Sequence, residues 1–202
     1  MTDRPYHRAD LAESLLREAE TELEEKGVEG FSLRGVAKRA EVSHAAPAHH
    51  FGDAAGLLTA LATRGFEKLL QTQQAREAAF EDSGDRFVAS GLGYVDFAVA
   101  HPALFRLMFS SRRVQKDENA YETRAQAAFD HLRAFASEQG GGDPFVDEEA
   151  RATLIAAWAI VHGLADLMIN KRPTMLLEMD PETRDRVLTK VISRAALGPD
   201  GA

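Results

Sequence analysis

The sequence contains no cysteine, which excludes disulfides, thiolate nucleophiles and cysteine-ligated zinc. It has no Gly-x-Ser-x-Gly elbow, no Gly-x-Gly-x-x-Gly fingerprint, no P-loop and no His-Glu-x-x-His pair. The common acyl-transfer, dinucleotide, nucleotide and zinc-hydrolase signatures are therefore missing. No long apolar run at the amino terminus has the form of a signal peptide. The most apolar stretch, residues 154–169, is interrupted by His162, Gly163 and Asp166. It also falls short of the ~20 residues a spanning helix needs. A soluble, cytoplasmic chain with no membrane association is expected. His101, His131, His162 and Asp166 show no ligand spacing, and no nucleophile–base pair is identifiable, so neither a metal, a cofactor nor an enzyme is expected.

Positive charge is also in short supply. Against 32 acidic side chains stand 24 Lys and Arg, a net charge of -8 over 202 residues. A uniformly acidic surface would be repelled by nucleic-acid phosphates, but the charge is uneven. From Phe31 to Phe51 the charged side chains are Arg34, Lys38, Arg39 and Glu41, and His44, His49 and His50 lie in the same stretch. Acidic residues crowd into Glu18 to Glu29 and the rest of the chain. A run such as Glu22-Leu23-Glu24-Glu25 reads as a solvated helix face. The 45% hydrophobic content is enough to build a core.

Almost every segment has helical spacing. Leu11, Leu15, Leu16, Ala19 and Leu23 share a face that Gly27 stops. Ser32 caps a short helix carrying Leu33, Val36, Ala37 and Ala40, and Ser43 is placed to cap a second one reaching His50. Asp53 opens a longer helix through Leu57, Leu58, Leu61, Phe66, Leu69 and Leu70. Further helices run over about 86–100, from Pro102 through Phe109, over 121–138, over 147–171 and from Asp180 to Gly198. Gly140-Gly141-Gly142 reads as a flexible break. No β-alternation persists and no internal repeat occurs, so the fold class is all-α with about nine helices.

Two helices of about two turns, separated by about three residues, have the proportions of a DNA-binding helix-turn-helix. In the second, Pro47 and Phe51 can join Val42 in a core, while Ser43, His44, Ala45, Ala48 and His49 point away. Small side chains at Ala45, Ala46 and Ala48 permit close approach to base edges. Protonated ring nitrogens of histidine can bond phosphates or guanine acceptors. Arg34 and Lys38, four apart on the preceding helix, can hold the phosphate backbone.

The run from Gly30 through Phe31, Ser32, Leu33, Arg34, Gly35, Val36, Ala37, Lys38, Arg39, Ala40, Glu41, Val42 and Ser43, followed by His49-His50-Phe51-Gly52-Asp53 and Leu57-Leu58, closely resembles the DNA-binding signature of the tetracycline-repressor (TetR) family. The resemblance covers residues 11–70 and implies a homodimer whose two recognition helices enter successive major grooves of a palindromic operator. By position it assigns Ser32, Arg34, Ser43, His44, Ala45, Ala46, Ala48, His49 and His50 to the double-stranded DNA interface. Three positions depart from the family pattern. Glu41 stands where glycine is usual, Ala54 where a lysine is common, and Ala48 where a tyrosine is common. A non-glycine at a positive φ costs about 1 kcal/mol, and the other two losses imply fewer phosphate contacts and a weaker, less salt-sensitive complex.

The carboxy-terminal sequence resembles a TetR subgroup with a Trp…His-Gly motif, carried by His101 to Phe109 and by Trp158 to Leu164. The functional boundary is expected between residues 1–52, which would bind DNA, and 53–202, which would sense a ligand and dimerise through the last two helices. Phe97, Phe105, Met108, Phe109, Phe129, Trp158 and His162 are candidates to line an apolar effector cavity, or simply to form core. For His162 both roles stay open, with Asp166 one turn on as the structural partner. The expected function is a ligand-responsive transcriptional regulator, a repressor released by a small, partly apolar effector. The alternative is a dimeric helical ligand-binding protein without sequence-specific DNA binding.

Overall fold

The computed structural model describes residues 8–172 and 174–196, and among them all regular structure is helical. The helices are α1 (Arg8–Gly30), α2 (Leu33–Arg39), α3 (Ala46–Phe51), α4 (Ala54–Glu77), α5 (Ser83–Ala100), α6 (Pro102–Ser110), α7 (Asn119–Gly140), α8 (Glu148–Ile169), α9 (Thr174–Glu178) and α10 (Pro181–Ala196). The five-residue α9 is the addition to the expected set. It is too short to show a helical period, and Leu176 alone of its residues is buried. Gly198, expected to stop α10, lies outside the described residues.

Local chemistry fixes most boundaries. Ser32 accepts the Gly35 N–H at 3.1 Å, Asp53 that of Gly56 at 2.8 Å and Asp147 that of Ala150 at 2.8 Å. Each satisfies an amide that the first helical turn would otherwise leave unpaired. Pro102 occupies the first turn of α6, where its missing N–H costs nothing. Gly27 does not end α1 but kinks it, with φ 67° and ψ 176°.

Packing gathers the helices into two compact units interleaved along the chain. The first holds residues up to Phe66 together with His101–Arg124. In it α1 packs on α2, α3 and α6. Leu15, Ala19 and Leu23 of α1 are fully buried, as are Val36, Ala37, Leu57, Leu58, Leu61, Leu104 and Leu107. Polar ties hold the segment after α6 to this unit. The Arg113 guanidinium donates to the Val28 carbonyl, and the Gln115 amide donates at 2.9 Å to the hydroxyl of Thr59, itself fully buried.

The second unit holds Glu67–Ala100 and the chain from Ala125 onward. Its centre is α5, packed on both α8 and α10 and buried along most of its length from Phe87 to Ala98. Arg76 of α4 reaches Asp96 of α5 at 2.7 Å and Asp185 of α10 at 3.3 Å. The triple glycine is not a loose break at its first member. A Cβ on Gly140 would lie 2.4 Å from the Ala150 Cα, so this position admits only glycine while α7 ends against α8. α8 is long and apolar enough, by length and composition, to cross a membrane. Here Leu154, Ala157, Val161, Leu164 and Ala165 are buried within the unit instead.

Candidate functional site

The first unit presents a polar face on α2, the following turn and α3. Ser32, Arg34, Lys38, Ser43, His44, Ala45, Ala48 and His49 are exposed, Ala46 and His50 are partly covered, and Pro47 is buried. The outward side falls as the sequence pattern places it, while of the three expected inward residues Pro47 is buried and Val42 and Phe51 are half-buried. One detail differs. Ser43 does not cap α3, which begins at Ala46 after an Ala45 cap residue with no side-chain bond. Residues 43–45 form a turn closed by the Ala46 amide on the Ser43 carbonyl at 3.0 Å. Pro47 explains the shift, because its ring restricts the residue before it and its missing N–H is best placed in a helix's first turn. His44 and Ala45 thus sit in the turn, and Ala46, Ala48, His49 and His50 on the helix.

Arg34 and Lys38 form no ion pair among the described residues. Arg39, the third cation of the stretch, has a different role. Its Nε donates to Glu22 at 2.8 Å and a terminal nitrogen donates to Glu25. The bond to Glu22, then that to Glu25, tightens the guanidinium's hold on its proton. Glu22 is only 5% exposed, which corrects the reading of the Glu22–Glu25 run as a solvated face. Its carboxylate lies against Gly35, where an added Cβ would come within 2.0 Å of Oε1. The absence of a side chain at Gly35 makes room for a buried carboxylate that braces α1 against α2. The signal was present in the sequence as glycine inside a helix, but the partner lies 13 residues upstream.

Glu41 adopts φ 54° in the turn between α2 and α3, so this chain carries the left-handed conformation on a non-glycine residue. The Val42 amide returns to the Ala37 carbonyl at 3.1 Å, closing the end of α2.

The seven candidates for an effector cavity divide between the units. Phe105, Met108 and Phe109 belong to the first, where Phe109 meets Phe66 edge-on at 5.6 Å and Phe105 at 4.9 Å. Phe105 and Met108 are buried at 4% and 1% exposure. Phe97, Phe129, Trp158 and His162 belong to the second unit. There Phe97 is core, while Phe129 stacks edge-on against a partly exposed Trp158 at 6.3 Å.

His162 shares a 2.9 Å hydrogen bond with the buried Tyr94 hydroxyl through Nδ1. Burial raises the pKa of Tyr94, partly offset by a hydrogen bond from Trp158. An indole N–H can only donate, so the Tyr94 oxygen accepts from Trp158. Burial lowers the pKa of His162, and Asp166 partly counters that. The partner that the sequence proposed within α8 is thus joined by one 68 residues away on α5, a separation no local pattern reveals. Asp166 itself accepts from Asn170 at 2.9 Å.

Two further histidines outside the α2–α3 face are also engaged. His101 pairs with Glu20 at 3.3 Å and His131 with Glu77 at 2.7 Å. Among the described residues no group of three or more side chains is arranged to hold a metal ion.

Comparison with known proteins bears on both units. Residues 15–61 match the family model for bacterial regulatory proteins of the tetR family, and residues 87–194 match the tetracyclin repressor-like carboxy-terminal domain. A protein of unknown function from Rhodococcus sp. RHA1 has a similar structure with TM-score 0.75 and 32% identity, over 95% of this chain and 98% of that one. A TetR family transcriptional regulator from Thermus thermophilus shares the fold at TM-score 0.64 and 19% identity, covering 89% of this chain and 97% of the other. A transcriptional regulator from Rhodococcus sp. RHA1 does so at TM-score 0.64 and 22% identity, covering 91% and 95%. No curated protein matches the chain in sequence.

Proposed function

Because the chain belongs to the tetR family of bacterial regulatory proteins, we propose that this ligand-responsive transcriptional regulator is a repressor that binds a palindromic operator as a homodimer. Residues 1–52 read the DNA and residues 53–202 sense the effector and dimerise. The observation that carries the reading is the face on α2 to α3. Arg34, Lys38, His44 and His49 are exposed there, and neither Arg34 nor Lys38 is neutralised by an ion pair among the described residues. An acidic chain that keeps such a face uncompensated has placed it for an anionic partner. Arg34 and Lys38 hold phosphates, and His49 reaches base edges beside the small Ala45 and Ala48.

The exposed side of α8 supports the dimer. Ile155 and Leu167 are 59% and 41% exposed, and Ala152, Ala159 and Gly163 continue the same face at helical spacing. An apolar stripe of this length with small residues along it suits close packing on its own symmetry mate, with α10 completing a four-helix contact. Binding two successive major grooves requires the recognition helices about 34–36 Å apart. An effector releases the operator to the extent that it favours a conformer with another spacing. α4, whose residues are shared between the two units, is the segment along which that change passes.

Selection of genomic fragments by the purified protein at moderate salt, followed by sequencing, tests the reading. Enrichment of a palindromic site is expected. A folded dimer that enriches nothing would make the chain a ligand-binding protein without sequence-specific DNA binding.

A further inference from the structure

Within the second unit an open surface cavity of about 600 Å³ is lined by Gln74, Glu77, Phe80, Glu81, Arg86 and His131 among others. Its size is in the range of small-molecule sites. None of the seven aromatic, methionine and histidine candidates lines it. Glu77, the last residue of α4, is 4% exposed. A buried carboxylate is costly unless compensated, and here it is compensated twice. His131 of α7 stands 2.7 Å from one oxygen and Arg86 of α5 stands 3.7 Å from the other. The Arg86 guanidinium also lies over the Phe135 ring at 5.7 Å. Arg86 thereby faces both Glu77 and an aromatic ring, with its side chain 43% exposed.

That arrangement leaves Glu81 as the uncommitted charge. It is exposed and has no ion-pair partner among the described residues. Beside it Phe80 is 47% exposed, an apolar ring beside two carboxylates. The lining thus holds two carboxylates, Glu77 engaged by Arg86 and His131 and Glu81 without an ion-pair partner among the described residues. An anion would meet Glu81 with Arg86 already engaged, whereas a cation would meet Glu81 and the Phe80 ring face together.

We propose that this cavity takes a small organic ammonium ion with an apolar body, received by the Glu81 carboxylate at the opening and by the face of Phe80, with Glu77 holding Arg86 and His131 in place around it. The proposal rests on the reading of the chain as a ligand-responsive regulator and names the chemical class of its effector.

Phenethylammonium and 3-phenylpropionate, which match in size and differ in charge, separate the cases. Titrated calorimetrically into the full-length protein with no DNA present, the ammonium should bind saturably and the carboxylate should not. Glu81→Gln, a change at an exposed position that leaves the Glu77 cluster intact, should weaken ammonium binding about fivefold, the upper range for one exposed ion pair. Phe80→Ala should weaken it about threefold. No saturable ammonium binding by the unaltered protein, equal binding of the carboxylate, or unchanged ammonium affinity in Glu81→Gln would each overturn the assignment. Operator selection by the ligand-free protein is read separately. An operator with no ammonium binding removes only this cavity's role, and ammonium binding with no operator removes only the regulatory reading.

Discussion

The segment from α2 to α3 and the outer side of α8 both leave side chains in solvent, for opposite chemical reasons. On the first the exposed groups are cations and imidazoles, Arg34, Lys38, His44 and His49. On the second they are apolar, Ile155, Trp158 and Leu167. Neither gains anything from the isolated fold. An exposed uncompensated cation keeps its hydration and is available to a polyanion, while an exposed apolar stripe is stabilised only by another apolar surface. Behind each lies a supporting layer of its own kind. The polar pair Glu22–Arg39 braces α2 against α1, and the apolar core of α5 supports α8. Function at each surface and stability beneath it should therefore be separable by substitution.

The largest effect tests the supporting layer of the second unit. Phe97 is 1% exposed, and Phe97→Ala should cost about 3–5 kcal/mol of folding stability. Chemical denaturation reads this directly. Operator affinity per folded molecule should be unchanged, because the residue supports helices and touches no DNA. A small loss of stability with a lost ligand response would make Phe97 an effector contact rather than core, and the comparison would have to be redrawn.

Replacing Arg34 and His49 together by alanine tests the opposite surface. Both are exposed, so the melting temperature and dimerisation should hold. Each side chain occurs twice in a dimer, and operator affinity should fall by about 100-fold or more, given ~1–3 kcal/mol for a good base contact. Normal operator binding by the double variant would place the DNA face elsewhere.

How much of this was readable in the sequence follows from the range of the interactions involved. Caps at Ser32, Asp53 and Asp147 and the first-turn Pro102 act within three or four residues, so their residue types mark the helix ends directly. The outward side of α2 and α3 followed from period alone. What escaped depends on partners distant in sequence. Glu22 looked like one acid in a run of acids because Arg39 and Gly35 lie on another helix. His162 was matched to Asp166 because Tyr94 is on α5. The apolarity of residues 154–169 was visible, but which side of α8 would be covered was not. The cavity beside Glu77 was invisible, since its walls come from α4, the loop after it, α5 and α7.

A smaller effect sharpens the account of the turn between α2 and α3. Glu41 holds φ 54°, and glycine relieves a left-handed backbone of about 1 kcal/mol. Glu41→Gly should raise the stability measured by urea denaturation by that amount. It also removes one negative charge from the neighbourhood of Arg34 and Lys38, so operator affinity should rise slightly at low salt and return to the parent value as salt screens it. Unchanged stability would mean that the turn is not strained at Glu41. Increased affinity at all salt concentrations would mean that the substitution moves α3.

The smallest expected effect is a pH dependence lodged at His162. Burial lowers its pKa, with Asp166 partly opposing. An unfolded histidine takes up its proton near ~6.5. Above that value both states hold His162 neutral and it adds no pH dependence. As the pH falls below it, the unfolded chain binds a proton that the folded chain resists, so stability declines with acidity until the folded ring is protonated too. Urea denaturation from about pH 8 to about pH 5.5 should show that decline, and His162→Gln, which keeps a polar side chain opposite Tyr94, should flatten it. Equal slopes in the two proteins would place the acid sensitivity in groups other than His162. The Tyr94–His162 hydrogen bond would then tie α8 to α5 without responding to proton uptake.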